Sequence, residues 1–154
     1  MKKINTVRFG ELEIEEDKIV QFDEGIPAFE DEHEFVLLPY ESDSPYTFLQ
    51  SVKSPELAFM MGVPFVFFPD YEFQLEDEIA KKLGIKTAED VLIYVLITIP
   101  GGEIKNMTAN LVAPIVISKR TFLAKQVVLE KSKYTTKHRL FKEKEEKYYK
   151  IEEI

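Results

Sequence analysis

The sequence predicts a mainly β fold: a small antiparallel β-barrel-like single domain with one short helix, at about residues 75–83. Three observations carry this. Short segments rich in β-branched and aromatic residues recur along the chain, separated by turn-forming residues. Only one stretch spaces its apolar residues as a helix does. The 154 residues include no cysteine and are 45% hydrophobic. Such a chain must build its core without disulfide staples, by removing roughly 68–70% of its unfolded surface from water. Closing the sheet on itself also disposes of exposed strand edges.

Taken in order, "ELEIEED" (11–17) alternates, with Leu12 and Ile14 on one face and Glu11, Glu13 and Glu15 on the other. "KIVQFD" follows a Glu-Asp turn, so the two are expected to form a hairpin with one wet, acidic face. "FVLLPY" and "YTFLQSV" are further strands, separated by the turn-like "ESDSP". In "LAFMMGVPFVFF", Gly62 and Pro64 argue for a buried strand that turns or bulges rather than a helix. Leu75, Ile79 and Leu83 make the helical stripe of "QLEDEIAKKLG", with acids leading, lysines trailing and Gly84 as the stop. "TAED" is a capping box from Thr87 to Asp90. "VLIYVLITIP" is a central strand running into the Pro-Gly-Gly turn at 100–102, and "KQVVLE" is another strand. The domain is expected to span 1–141. The charged tail, 142–154, is too polar to pack all round and is expected to be a frayed helix or a disordered end.

Net charge is −8, unevenly spread. Residues 11–34 hold eleven acids against one lysine, and residues 119–142 hold eight bases against one acid. Nucleic-acid affinity comes largely from phosphate neutralisation, so the overall sign argues against a direct nucleic-acid partner, although the stretch from Lys119 to Lys142 keeps a nucleic-acid-binding barrel as an alternative. The two stretches either neutralise each other or leave an acidic docking face for a basic partner. The N-terminus lacks the apolar core of a signal peptide and no apolar run approaches a membrane span, so a cytoplasmic protein with no membrane partner is expected.

The catalytic inventory is sparse. His33 and His138 stand alone, no ligand spacing for a metal occurs, and "DEGIPAFEDE" lacks the ordered spacing of a calcium loop. Gly25, Gly101 and Gly102 belong to no phosphate-binding pattern, and Ser51 and Ser54 have no nucleophile context. No cofactor, metal or enzymatic activity is expected. A small-ligand barrel without catalysis remains the other alternative.

Two segments invite a binding reading. "FPDYEF" sets Phe68, Asp70 and Tyr71 together, an amphipathic ring among acids; a place in the core comes first and a binding anchor second. In "NMTANLVAPIVIS", Met107, Ala109 and Leu111 share one face of an extended chain and Thr108 and Asn110 the other. Pro114 cannot donate to a ladder, so Thr108 and Asn110 are expected first to satisfy the backbone groups that the break frees, and only second to meet a partner.

The pieces "FDEGIPAFE" (22–30), "TFLQSV…PELAF" (47–59), "FPDYEFQL" (68–75), "ITIP" with "MTANLVAPIVI" (97–117) and "KQVVLE…Y…HRL" (125–140) resemble, in order and spacing, the FliW family of flagellar assembly factors. "TANLVAPIVI" is the most specific of them. The resemblance implies a β-barrel-like, non-enzymatic cytoplasmic protein, a monomer when free. It implies two partners, flagellin and the translational regulator CsrA, with the protein antagonising CsrA repression of flagellin mRNA. Combined with the charge split, it places CsrA on the acidic face, at Glu13, Glu15 and Asp17, and flagellin's helical apolar segment near Phe68 and Tyr71. One departure is that Ala28 stands where the family typically has Gly in "GIPGFE". A left-handed backbone is not expected there, because Ala pays a steric cost at positive φ.

Overall fold

The computed structural model describes residues 1–130 and 132–141, so the tail expected at 142–154 lies outside the described residues. Strands β1 (Lys2–Thr6) and β2 (Gly10–Ile14) form an antiparallel hairpin. Its turn is tied by Thr6, whose Oγ1 donates to the Gly10 carbonyl at 2.9 Å and accepts the Phe9 N–H at 2.8 Å. The expected hairpin between 11–17 and the following strand is therefore corrected. Glu16–Lys18 forms a 3-10 turn, and β3 (Val20–Gln21) pairs with β4 (Glu34–Pro39) instead. The local signal for the true turn is Gly10, which sits at φ +71, four residues after Thr6, whose hydroxyl closes the loop.

The main chain of pairing then runs β4 to β5 (Tyr46–Ser51), to β6 (Ala58–Gly62), to β7 (Val91–Thr98). Beyond β7 come β9 (Ile115–Ser118) and β10 (Ala124–Gln126), while β8 (Thr108–Ala109) and β11 (His138–Arg139) branch from the end of β7. Every ladder is antiparallel, and these nine strands make one sheet. Its two ends meet only at an isolated parallel bridge between Gln21 and Leu123, where the Gln21 N–H donates to the Phe122 carbonyl at 2.8 Å. The expected barrel is thus a coiled sheet touching itself at one point, not a closed ladder.

Two short helices interrupt the strands. Past Gly62 the strand, expected to turn or bulge, ends and the chain turns in a one-turn helix, α1 (Pro64–Phe67), which the sequence did not lead one to expect. Pro64 stands at its first position, where its fixed φ suits a helix and its missing N–H costs nothing. Helix α2 (Asp77–Leu83) falls where the apolar stripe predicts it, with Asp77 and Glu78 in the first turn, Lys81 and Lys82 in the last, and Gly84 left-handed at φ +74. The Leu83 carbonyl at its end accepts the Thr121 hydroxyl at 2.6 Å, which ties the helix to the loop after β9. The capping box at Thr87 and Asp90 is present.

Alternation divides the apolar residues among four clusters. Ile115 and Ile117 point into the coil of the sheet with Phe22, Phe35, Leu49 and Met61, while Val116 points outward beneath Leu75, Ile79 and Leu83. Because β9 is covered on both faces, "PIVIS" reads as a continuous apolar run rather than an alternating one. Each fully buried aliphatic or aromatic side chain in such clusters contributes about 1.5–3 kcal/mol. On β4, Phe35 turns inward and Val36 turns toward Ile4 and Ile14, so that the first hairpin covers the back of this strand.

The loop from Phe22 to His33 carries two left-handed residues, Gly25 at φ +71 and Ala28 at φ +74, against the expectation for Ala28. A β-carbon at Gly25 would lie 2.5 Å from the Glu30 carbonyl oxygen, so only glycine fits there. Ala28 pays the steric cost of the conformation, held in place by the Phe29 N–H donating to Ile26 O at 2.6 Å. Ala28→Gly should accordingly stabilise the fold by about 1 kcal/mol, the relief of strain less the added freedom of the unfolded chain. Urea denaturation checks it: the midpoint rises at unchanged slope, whereas Gly25→Ala lowers it.

Candidate functional site

The segment from Asn106 to Ser118 is a strand broken once. Met107, Ala109 and Leu111 are buried, each at 2% exposure or less, and Thr108, Asn110 and Val112 are half-buried, so the alternation holds up to the break. There the Asn110 Oδ1 accepts the N–H groups of Val112 and Ala113, both at 3.2 Å. Its own N–H donates to Leu96 O at 2.9 Å. The freed carbonyls are met by the extended segment just past β10: Val127 N–H donates to Pro114 O at 2.9 Å and Leu129 N–H to Val112 O at 2.7 Å. Asn110 therefore does the backbone work expected of it. Thr108 does not share that work; it pairs with Thr98 and Arg139 through the ladder, and its hydroxyl bonds to none of the described residues.

The segment after α1 packs over this strand. Tyr71 is 3% exposed, and its hydroxyl donates to Leu111 O at 2.8 Å, so burial pushes its ionisation upward and the ring belongs to the core. It stacks against Tyr134 at 4.7 Å and Phe73 at 5.8 Å. Phe68 is half-buried and meets the His138 ring edge-on at 5.0 Å. Asp70 is exposed. The exposed rings and side chains here are ones the sequence reading passed over: Phe65 at 44% and Val66 at 59%, on α1. Pro64 was the available signal, because a proline-started single turn cannot bury four consecutive apolar residues. Phe65, Phe73, Leu75, Ile85 and Ile93 line an open apolar groove of about 660 Å³, with Glu72 and Lys86 beside it.

The acidic residues occupy a different part of the molecule. Glu13, Glu15 and Asp17 are all exposed, on β2 and the turn after it, flanked by the buried Ile14 and Ile19. Glu13 lies opposite Lys3 in the hairpin register, and Lys3 approaches Glu11 at 4.0 Å. Glu24 is paired with Lys125, whose ammonium holds its carboxyl below the usual range, so the acidic and basic stretches neutralise each other at this point. Arg139 donates to Lys105 O at 3.3 Å. Glu32 accepts the hydroxyls of Ser51 at 2.5 Å and Ser54 at 2.8 Å, and these hydrogen bonds, the Ser51 one foremost, hold its carboxyl down as well.

The structure thus puts Phe68 and Tyr71 in one cluster, on which Met107, Ala109 and Leu111 of the strand carrying Thr108 and Asn110 also pack, and leaves Glu13, Glu15 and Asp17 beside a different one, that of Ile14 and Ile19. Among the described residues no group of three or more His, Asp or Glu is placed to hold a metal ion, and no helix is long and apolar enough to cross a membrane. What the surface offers is an apolar groove, an acidic hairpin, and the 22–33 loop with Phe29 39% exposed and stacked on Phe59 at 5.2 Å.

A family model described as "FliW protein" matches residues 3–140. The chain is similar to proteins named "Flagellar assembly factor FliW" from several bacteria. It is 49% identical to that of Geobacillus kaustophilus over 92% of this chain and 97% of that protein. It is 45% identical to that of Moorella thermoacetica, covering 92% and 89%, and 44% identical to that of Bacillus subtilis, covering 88% and 94%. Among solved structures, it matches a crystal structure of the flagellar assembly factor FliW with TM-score 0.84 and 47% identity, over 93% of this chain and 99% of that one.

Two outcomes follow from the geometry. Asn110→Ala leaves two half-buried N–H groups without an acceptor and should lower stability by about 1–3 kcal/mol, with Asn110→Asp, which keeps the oxygen, retaining most of it; chemical denaturation of the three proteins measures this. Glu32 is held below its unfolded value, so its contribution is fully present above that value and is lost as pH falls through the folded one. Glu32→Gln should therefore melt lower than the parent at about pH 7 and lose less on going to about pH 3.

Proposed function

The chain belongs to the FliW family, and on that footing we propose that it is a flagellar assembly factor acting in the cytoplasm by binding, not by catalysis. It takes flagellin and the translational regulator CsrA as partners and, by holding CsrA, relieves the repression of flagellin translation. The observation that carries this reading is the extent of the match, since residues 3–140 align with the family and the named relatives are covered over nearly their whole length.

The chemistry of the surface supports a division of labour. An RNA-binding regulator is basic where it holds phosphate. Glu13, Glu15 and Asp17, all exposed on β2 and the turn after it, attract such a surface, raise the association rate and repel RNA from the same place. A helical segment with an apolar face needs a groove that receives side chains at helical spacing. The apolar groove lined by Phe65, Phe73, Leu75 and Ile85 is the surface that suits such a segment. The buried Tyr71 forms its floor rather than an anchor. A standard interface takes about 800 Å² per partner, so both partners fit at once by area and exclusion requires shared residues or an element that both bias.

Calorimetric titration of CsrA into the protein, with and without saturating flagellin, tests the coupling: weaker CsrA binding in the presence of flagellin is expected, and equal affinity with a ternary complex in size-exclusion light scattering refutes it. Reversing Glu13, Glu15 and Asp17 to Lys should slow CsrA association and flatten its salt dependence in stopped-flow measurements. Phe65→Ser should weaken flagellin about tenfold while sparing CsrA, as expected for an aromatic anchor at a groove.

A further inference from the structure

A second groove lies where the sheet forks, and it is independent of the assembly reading. Strand β6 pairs with β5 along its whole length, but with β7 only through Met61 and Gly62. At Ile97 and Thr98, β7 is engaged on its other flank by β8. Ala58, Phe59 and Met60 therefore have a ladder partner on one side only among the described residues. The register fixes which backbone groups face the fork. The Ser51 N–H donates to Leu57 O at 2.9 Å, which makes that a hydrogen-bonded pair. Antiparallel pairs alternate, so the groups of Ala58 and Met60 point away from β5; the last rung to β7, beyond Met61↔Leu96, takes the Met60 carbonyl with the Ile97 N–H, and the N–H and C=O of Ala58 and the N–H of Met60 face the opening.

The opening is a cavity of about 380 Å³, within the size range of ligand sites, walled by Phe48, Ala58, Met60, Ile99 and Met107. Tyr40 and Ile104 stand at its mouth, 55% and 65% exposed. One charged group lines it, Arg8, carried there by the turn of the first hairpin. Its guanidinium lies over the face of Phe48, 4.5 Å from the ring centroid, and no carboxylate among the described residues pairs with it. The ring holds the guanidinium by a cation–π contact, and a guanidinium so held can take a carboxylate in two parallel hydrogen bonds.

We propose that this fork binds an extended apolar peptide, which adds a short strand against the free edge of β6, at Ala58 and the Met60 N–H, and places its carboxylate on Arg8. The lone cation at an otherwise apolar opening selects an acid. The unpaired strand edge selects a polypeptide over a fatty acid, because only a peptide supplies N–H and C=O groups at the strand spacing, and the apolar walls take its alternate side chains.

The test uses the full chain and fluorescein-labelled hexapeptide pools of Val, Ile, Thr and Leu. Each pool is made with a free terminal carboxylate, as the terminal amide, and as the free acid with alternate backbone amides N-methylated. Fluorescence anisotropy should show saturable binding of the free-acid pool, and binding at least about tenfold weaker for the amide and for the N-methylated pool. Arg8→Lys should keep the preference for acid over amide and Arg8→Gln should erase it, while the comparison of pools on the unaltered protein stands whatever either substitution does to folding. No saturable binding by any pool overturns the proposal. So does equal affinity for acid and amide. Equal affinity for the N-methylated pool, with displacement by decanoate, overturns it in favour of a fatty-acid site.

Discussion

The fold depends on β7 being shared. This one strand pairs with β6 on one flank and with β9 and then β8 on the other. Its side chains alternate into three of the four clusters: Leu92, Tyr94 and Leu96 pack toward the inside of the coiled sheet, Val91 and Ile93 toward α2, and Val95 and Ile97 toward the cluster holding Tyr71. A strand with that duty cannot alternate polar and apolar residues, which is why "VLIYVLIT" is apolar throughout. It also cannot keep both neighbours at full length, because the sheet twists and coils. The pairing it gives up with β6 opens the fork, and the pairing it divides between β9 and β8 demands a break in the strand that supplies them.

That break is where Asn110 and Pro114 act together. Without a proline the chain would run on as one strand and keep β7 covered evenly. With it, the five residues from Asn110 to Pro114 lie between the paired strands, and the Asn110 side chain takes two of their N–H groups. Tyr71 then fits against the Leu111 carbonyl, and the segment from α1 onward is anchored across the break. The exposed face of α1, with Phe65 and Val66, is displayed by this anchoring. A buried hydrogen bond from one ring thus holds its neighbours in solvent, linking core packing to a surface suited to a partner.

The acidic hairpin rests on a smaller device. Ile4 and Ile14 pack on Val36, so β1 and β2 lie against the back of β4, and their outward residues are charged because the inward ones are spent on that contact. The same hairpin carries Arg8 at its turn. One element consequently presents acids along its length and a stacked cation at its tip, two opposite electrostatic characters set by which residues face the sheet and which extend past it.

The sequence by itself determined the mainly β character, the positions of most strands, the helix ending at Leu83 with its Gly84 stop, and the backbone role of Asn110. These follow from period, propensity and turn chemistry within a few residues of each other, and such interactions are encoded locally. What only the tertiary structure decided is non-local: that β2 turns back to β1 rather than on to β3, that the sheet coils until its ends touch at one bridge, that Tyr71 is interior while Phe65 is displayed, and that Ala28 is held left-handed. Each depends on which distant surface a segment meets. "FPDYEF" has the same local pattern whether its tyrosine finds the Leu111 carbonyl or faces water, and the free energy of that contact exists only once residues forty apart in sequence are brought together.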